Sequence, residues 1–138
     1  MTHSQPEKNL TALLANMSPV LDPHSYVFCH ASAEIDLSPF SPKCLFWEQE
    51  GVTLILERSQ AQRFQFDCNS EYACITLNVH SSLEAVGLTA AVSTALAEQG
   101  ISANVVAAYF HDHIFVSVED AQRAIDVLTA LSAEHSVS

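Results

Sequence analysis

Three observations in the sequence predict an α+β sandwich in which strands form a sheet and helices cover one face. From Gly87 an apolar stripe, Leu88, Ala91, Val92, Ala95 and Leu96, recurs at i, i+3, i+4, i+7 and i+8, which is one face of a helix. Gly100 stands where a helix end favours a residue that tolerates positive φ. Directly after it the period falls from 3.6 to 2. Ile101, Ala103, Val105, Ala107 and Tyr109 alternate with Ser102, Asn104, Val106 and Ala108, as in a strand. On either side, 72–79 and 114–118 read as strands and 119–133 as a second helix. The order is strand, helix, strand, strand, helix.

The first half has the same logic. Leu10, Leu13, Leu14 and Met17 give a helical stripe over 9–17, with capping-box spacing at Ser4 and Glu7 and Pro19 as its stop. A short strand is expected at 26–30, then a loop from 31 to 42 punctuated by Pro39 and Pro42. Strand character over 45–57 is broken by a turn near Glu50 and Gly51, with Val52, Leu54 and Leu56 on one face. A short helix at 59–64 and a short strand at 64–68 lead to the linker 69–71. Leu-Thr-Ala opens a helix at residues 10 and 88, and Ala-Gln-Arg recurs at 61–63 and 121–123. This makes two βαββα-type units in tandem, residues 1–68 (incomplete) and 69–138, each lacking a strand that the other, or a second copy, supplies. The arrangement is a ferredoxin-like sandwich with antiparallel sheets.

Composition bounds the function. The chain has 138 residues, 49% hydrophobic, so a folded core is expected. Sixteen acidic residues against five basic ones give a net charge of −11. Lys8, Lys43, Arg58, Arg63 and Arg123 are scattered, which argues against nucleic-acid and anionic-membrane partners. The polar N-terminus has no signal-peptide core, no run is long enough to span a bilayer, and Cys29, Cys44, Cys68 and Cys74 have no CxxC spacing. Free thiols in a cytoplasmic protein are expected.

Gly87-Leu88-Thr89 opening an apolar helix, followed by Leu96 and by 100–104 opening a strand, resembles the ACT regulatory domain that binds amino acids in aspartate kinases. His80-Ser81-Ser82-Leu83-Glu84 before Gly87, with His111-Asp112-His113 before Ile114, is similar to small stand-alone tandem ACT-like bacterial proteins of uncharacterised function. The resemblance implies a regulatory module without a catalytic domain, ligands held between subunits, and a homodimer or higher homo-oligomer. The loop departs from the usual ACT pattern, having no proline before its glycine.

The expected topology brings the loop 80–84, the helix opening at Gly87 and Leu88, and the turn 111–113 to one end of the sheet, because strands joined by a right-handed crossover run parallel. A helix N-terminus suits a carboxylate, and Asp112 or Glu84 suits an α-amino group. The candidate ligand-binding residues are therefore His80, Ser81, Ser82, Glu84, Gly87, Leu88, Asn104, His111, Asp112 and His113. Each also has a plainer role. Ser81 and Ser82 cap turns, Asp112 suits a hairpin turn, and the glycines serve backbone geometry. Tyr109 and Phe115 suit a core or an interface, and Trp47 a core anchor or a dimer contact. His80, His111 and His113 form a weak alternative metal site. No cofactor is expected. The order and context of a nucleophilic triad are missing, as are GxSxG, GxGxxG and HExxH, so no catalysis is expected. A structural interaction protein without a ligand and a metal-dependent or hydrolytic enzyme at the His cluster are the remaining alternatives.

Overall fold

The computed structural model describes residues 9–79 and 86–136. In chain order they form α1 (Leu10–Asn16), β1 (Pro19–Ala31), β2 (Cys44–Glu48), β3 (Gly51–Glu57), α2 (Arg58–Arg63), β4 (Tyr72–Leu77), α3 (Leu88–Glu98), β5 (Asn104–Ala107), β6 (Asp112–Ser117), a 3-10 turn (Val118–Asp120) and α4 (Ala121–His135). The six strands make one sheet in the order β2-β3-β1-β4-β6-β5, with every neighbouring pair antiparallel. This is the expected α+β architecture, and β1 welds its two halves. Pro19–Leu21 pair with Leu77–Ile75 of β4, whereas Tyr26–Ala31 pair with Glu57–Val52 of β3.

That strand is longer than the expected 26–30, and the reason is its two prolines. Pro19 is its first residue, and Pro23 falls in the irregularity between Leu21 and Ser25, so neither is asked for a ladder hydrogen bond. Three other expectations shift. The N-cap of α1 is Asn9, whose Oδ1 accepts from the Ala12 N–H at 3.0 Å; Ser4 and Glu7 lie outside the described residues. Residues 64–68 close α2 instead of forming a strand: Gln65 takes φ 63°, and the Phe66 N–H donates to the Ala61 carbonyl. Ile101 belongs to the end of α3, its N–H donating to the Leu96 carbonyl, so β5 starts only at Asn104.

Strand alternation sorts the core onto two faces. On one face α1, α3 and α4 cover Ala73, Ile75, Leu77, Ile114 and Val116 with Leu13, Leu88, Val92, Leu96 and Leu128. Farther along the same face, Val27, Leu54 and Leu56 are covered by Ala61 of α2 and by Ile35, Leu37 and Phe40 of the loop. The opposite face has a smaller core of Tyr26, Ile55, Cys74 and Phe115. Edge-to-face ring contacts join Phe115 to Tyr26 at 6.0 Å and to Phe28 at 5.4 Å. All four cysteines are free. Trp47 is 62% exposed on edge strand β2, so it is no core anchor. No helix among the described residues is long and apolar enough to cross a membrane.

Candidate functional site

Register builds the site. Leu77 ends β4, Asp112 opens β6 and Ala107 ends β5, and these three residues form one row across the sheet. The strands β4 and β5 therefore run parallel on either side of β6, and both stop at the same end. Helix α3 starts at that end too. Its far terminus is fixed at the other end, where the Arg123 guanidinium, just beyond β6, donates to the Gln99 carbonyl. Gly87 is the N-cap of α3 (φ 98°), with the Leu10 side chain packed beside it. Residues 80–85, which carry the expected His80, Ser81, Ser82 and Glu84, lie outside the described residues.

The remaining candidates are divided by the pleat. Asp112 shares the helix-covered face with Ile114 and Val116 and is only 9% exposed. Burial pushes its carboxyl above the ordinary value, while His111 acts in the other direction. His113 points to the opposite face, where its Nδ1 lies 2.9 Å from Thr76 Oγ1. Burial, Lys43 and His111 hold this imidazole below its ordinary value.

Four expectations need correction. The turn is not at 111–113. The Ala108 N–H donates to the His111 carbonyl, so Tyr109 and Phe110 form the tip and Asp112 is already in β6. The tip rings stack edge to face at 4.9 Å and stay exposed, so Tyr109 is not a core residue. Leu88 is 4% exposed within the helix-side core, which leaves its side chain to packing. Asn104 opens β5 opposite Phe115, three residues and roughly 10 Å from the Ala107 row, and donates to the Phe115 carbonyl at 3.4 Å. The structure does not bring it to Asp112. Among the described residues no group of three His, Cys, Asp or Glu side chains could hold a metal ion.

One constellation escaped the sequence. Lys43, Cys44 and Phe46 at β2 share a cavity of about 290 Å³ with Val106, Ala107 and Ala108 at β5, above His113 and Phe115. The sheet curls until its two edge strands are opposite walls. The signal was weak: Lys43 is one of five basic residues, and nothing local ties it to β5.

Fold, strand order and site end together define a small tandem regulatory module. The chain belongs to the ACT-domain family: one ACT-domain model matches residues 5–74 and a second matches 69–130. Domains of this family are regulatory, bind small ligands, and are generally non-catalytic. A crystal structure from Vibrio cholerae, described as a protein of unknown function and "possible transport protein", is similar at 48% identity. The match covers 89% of this chain and 95% of that one, with a TM-score of 0.81. The regulatory subunit of aspartate kinase from Thermus flavus is 9% identical over 83% of this chain and 96% of that one, at TM-score 0.61. Aspartokinase III of E. coli, solved with aspartate and ADP, is 14% identical over 84% of this chain and 34% of that one, at TM-score 0.60. These last two share the fold. No curated protein matches.

Proposed function

We propose that the chain is a non-catalytic regulatory module that binds an amino acid at the sheet end where β4 stops and α3 begins, and that it works as a homo-oligomer. The observation that carries this reading is the row Leu77–Asp112–Ala107, because it puts a buried carboxylate at the end of the sheet where the N-terminus of α3 also lies. Asp112 receives the α-ammonium group; the unpaired N–H groups of α3 receive the α-carboxylate. His80, Ser81, Ser82 and Glu84, which precede α3 in the sequence, are further candidate ligand groups, as is His111. The half-units 1–68 and 69–138 share β1, and ligand binding biases one subunit arrangement that a partner protein reads. The fold of an aspartokinase solved with aspartate supports the class of ligand.

Thermal unfolding of chelator-treated protein against the twenty amino acids and against Zn²⁺ and Ni²⁺ tests the reading. Ligand at about 100 times its dissociation constant adds roughly 2.7 kcal/mol. A shift with one or two amino acids that Asp112→Asn abolishes is expected. A shift with metal alone would replace the reading by a site at His80, His111 and His113. No shift with any of them would favour an interaction protein, for which exposed Trp47, Tyr109 and Phe110 supply contact surface.

A further inference from the structure

The edge strands β2 and β5 do not pair with each other, yet they face across the cavity of about 290 Å³ on the sheet face away from the helices. Phe115, 1% exposed, and Val106 give it an apolar lining, and Phe46, 52% exposed, stands on the β2 side. The volume equals about ten waters at roughly 30 Å³ each and falls at the small end of ligand pockets, which start near 300 Å³.

Among the described lining residues the one Lys, Arg, Asp or Glu is basic, in a chain of net charge −11. The chain carries 16 acidic residues against 5 basic ones, but among the described residues no Asp or Glu lines the cavity, whereas Lys43 does. Its Nζ gives one N–H to Asp22 Oδ2 at 3.4 Å and lies 5.7 Å from the centre of the Tyr26 ring, which leaves further donors on the ammonium. Where His113 Nδ1 accepts from the Thr76 hydroxyl, Nε2–H is left to donate. The backbone adds a third group. Ala108 and His111 form a bonded pair, so ladder alternation turns the N–H of Ala107 away from β6.

We propose that this cavity is a second ligand site, for a small monocarboxylate with an apolar body, its carboxylate held by Lys43 and His113 and its body laid on Phe115, Val106 and Phe46. An amino acid fits it poorly, because none of the described lining residues is a carboxylate that could receive the α-ammonium group. The site is on the other face of the sheet from Asp112 and does not depend on the amino-acid reading.

Phenylacetate and 4-methylpentanoate serve as probes, phenylacetamide as the neutral isostere and phenylalanine as the zwitterion, each titrated into the full chain and followed by amide NMR shifts. Saturable shifts at Val106, Ala107 and His113 are expected with the two acids. The amide should bind at least about tenfold more weakly, since charge-assisted hydrogen bonds are roughly twice as strong as neutral ones, and phenylalanine likewise, since its ammonium group is desolvated without a partner. Lys43→Met should weaken the acids by a similar factor and leave the amide unchanged, and Lys43→Arg should retain binding. Val106→Trp, which fills the cavity with Lys43 in place, should abolish shifts from both acids while the amide spectrum otherwise stays dispersed. Equal binding of acid and amide, shifts centred on Gly87 and Leu88, or no saturable shift at millimolar acid would each overturn the proposal.

Discussion

Tyr26 donates its hydroxyl hydrogen to Asp22 Oδ2 at 2.6 Å, and this bond ties together the two ends of the break in β1. The same carboxylate accepts from the His24 N–H at 2.8 Å and pairs with Lys43. Burial alone would raise the Asp22 pKa. The Tyr26 hydroxyl, the His24 amide and Lys43 outweigh it and hold the pKa below 3.8. Beyond the break Ser25 and Tyr26 still pair with β4 while Tyr26 also begins the pairing with β3, so Asp22 and Tyr26 fix the joint between the halves.

Tyr26→Phe should therefore cost about 1–2 kcal/mol, the scale of a hydrogen bond to a charged group with part of it exposed. Urea unfolding measures it. Because the folded pKa of Asp22 is depressed, its stabilisation is present above pH 3.8 and is lost as pH falls through the lower folded value. The deficit of the variant should shrink in that acidic window; a constant deficit would assign the loss to packing.

The β2–β3 hairpin makes a second prediction. Gly51 has φ 148°, and a Cβ there would lie 2.4 Å from the Ala31 carbonyl oxygen. Gly100 has φ 72° and no atom of the described residues within 4 Å of a Cβ. Gly100→Ala should cost only the left-handed strain, about 1–2 kcal/mol. Gly51→Ala adds a backbone clash and should cost more. Denaturation midpoints of the two variants compare them directly, and the opposite order would remove the clash from the account.

On the sheet face away from the helices, Phe115 is enclosed by Tyr26, Phe28, Ile55 and Cys74. Phe115→Ala should lose about 3–5 kcal/mol, as large aromatic truncations in cores do. Phe115→Leu should recover much of that. Calorimetric unfolding decides; a loss below about 1 kcal/mol would mean that this small core contributes little.

What the sequence made legible was local. The stripe of α3, its stop at Gly100 and the change of period to β5 depend on neighbours within a few residues. Pro19 and Pro23 obscured β1, because their lost donors matter only once the ladder is known. The Asp112 row required the register of three strands. The Lys43 cavity required the curl of the whole sheet, since its walls come from the two strands farthest apart in sheet order. Sequence adjacency groups Asp112 with His113, and the pleat sends them to opposite faces.

The two residues have opposite pH responses, because burial disfavours the charged form of each, which is protonated in His113 and deprotonated in Asp112. His113 has a depressed pKa because burial, Lys43 and His111 disfavour the imidazolium. Just below pH 6.5 the unfolded chain binds the proton that the folded chain refuses, so stability rises with pH through this window and is lost as pH falls. Asp112 has a raised pKa because burial disfavours its carboxylate. The folded chain there keeps a proton that the unfolded chain releases, so its contribution is present below pH 3.8 and is lost as pH rises through the folded value. Urea midpoints between pH 4 and pH 8 should show both. His113→Gln should flatten the rise below pH 6.5 and leave the acidic limb unchanged. Asp112→Asn should do the reverse. If either variant altered both limbs equally, the two groups would titrate as one coupled pair across the sheet.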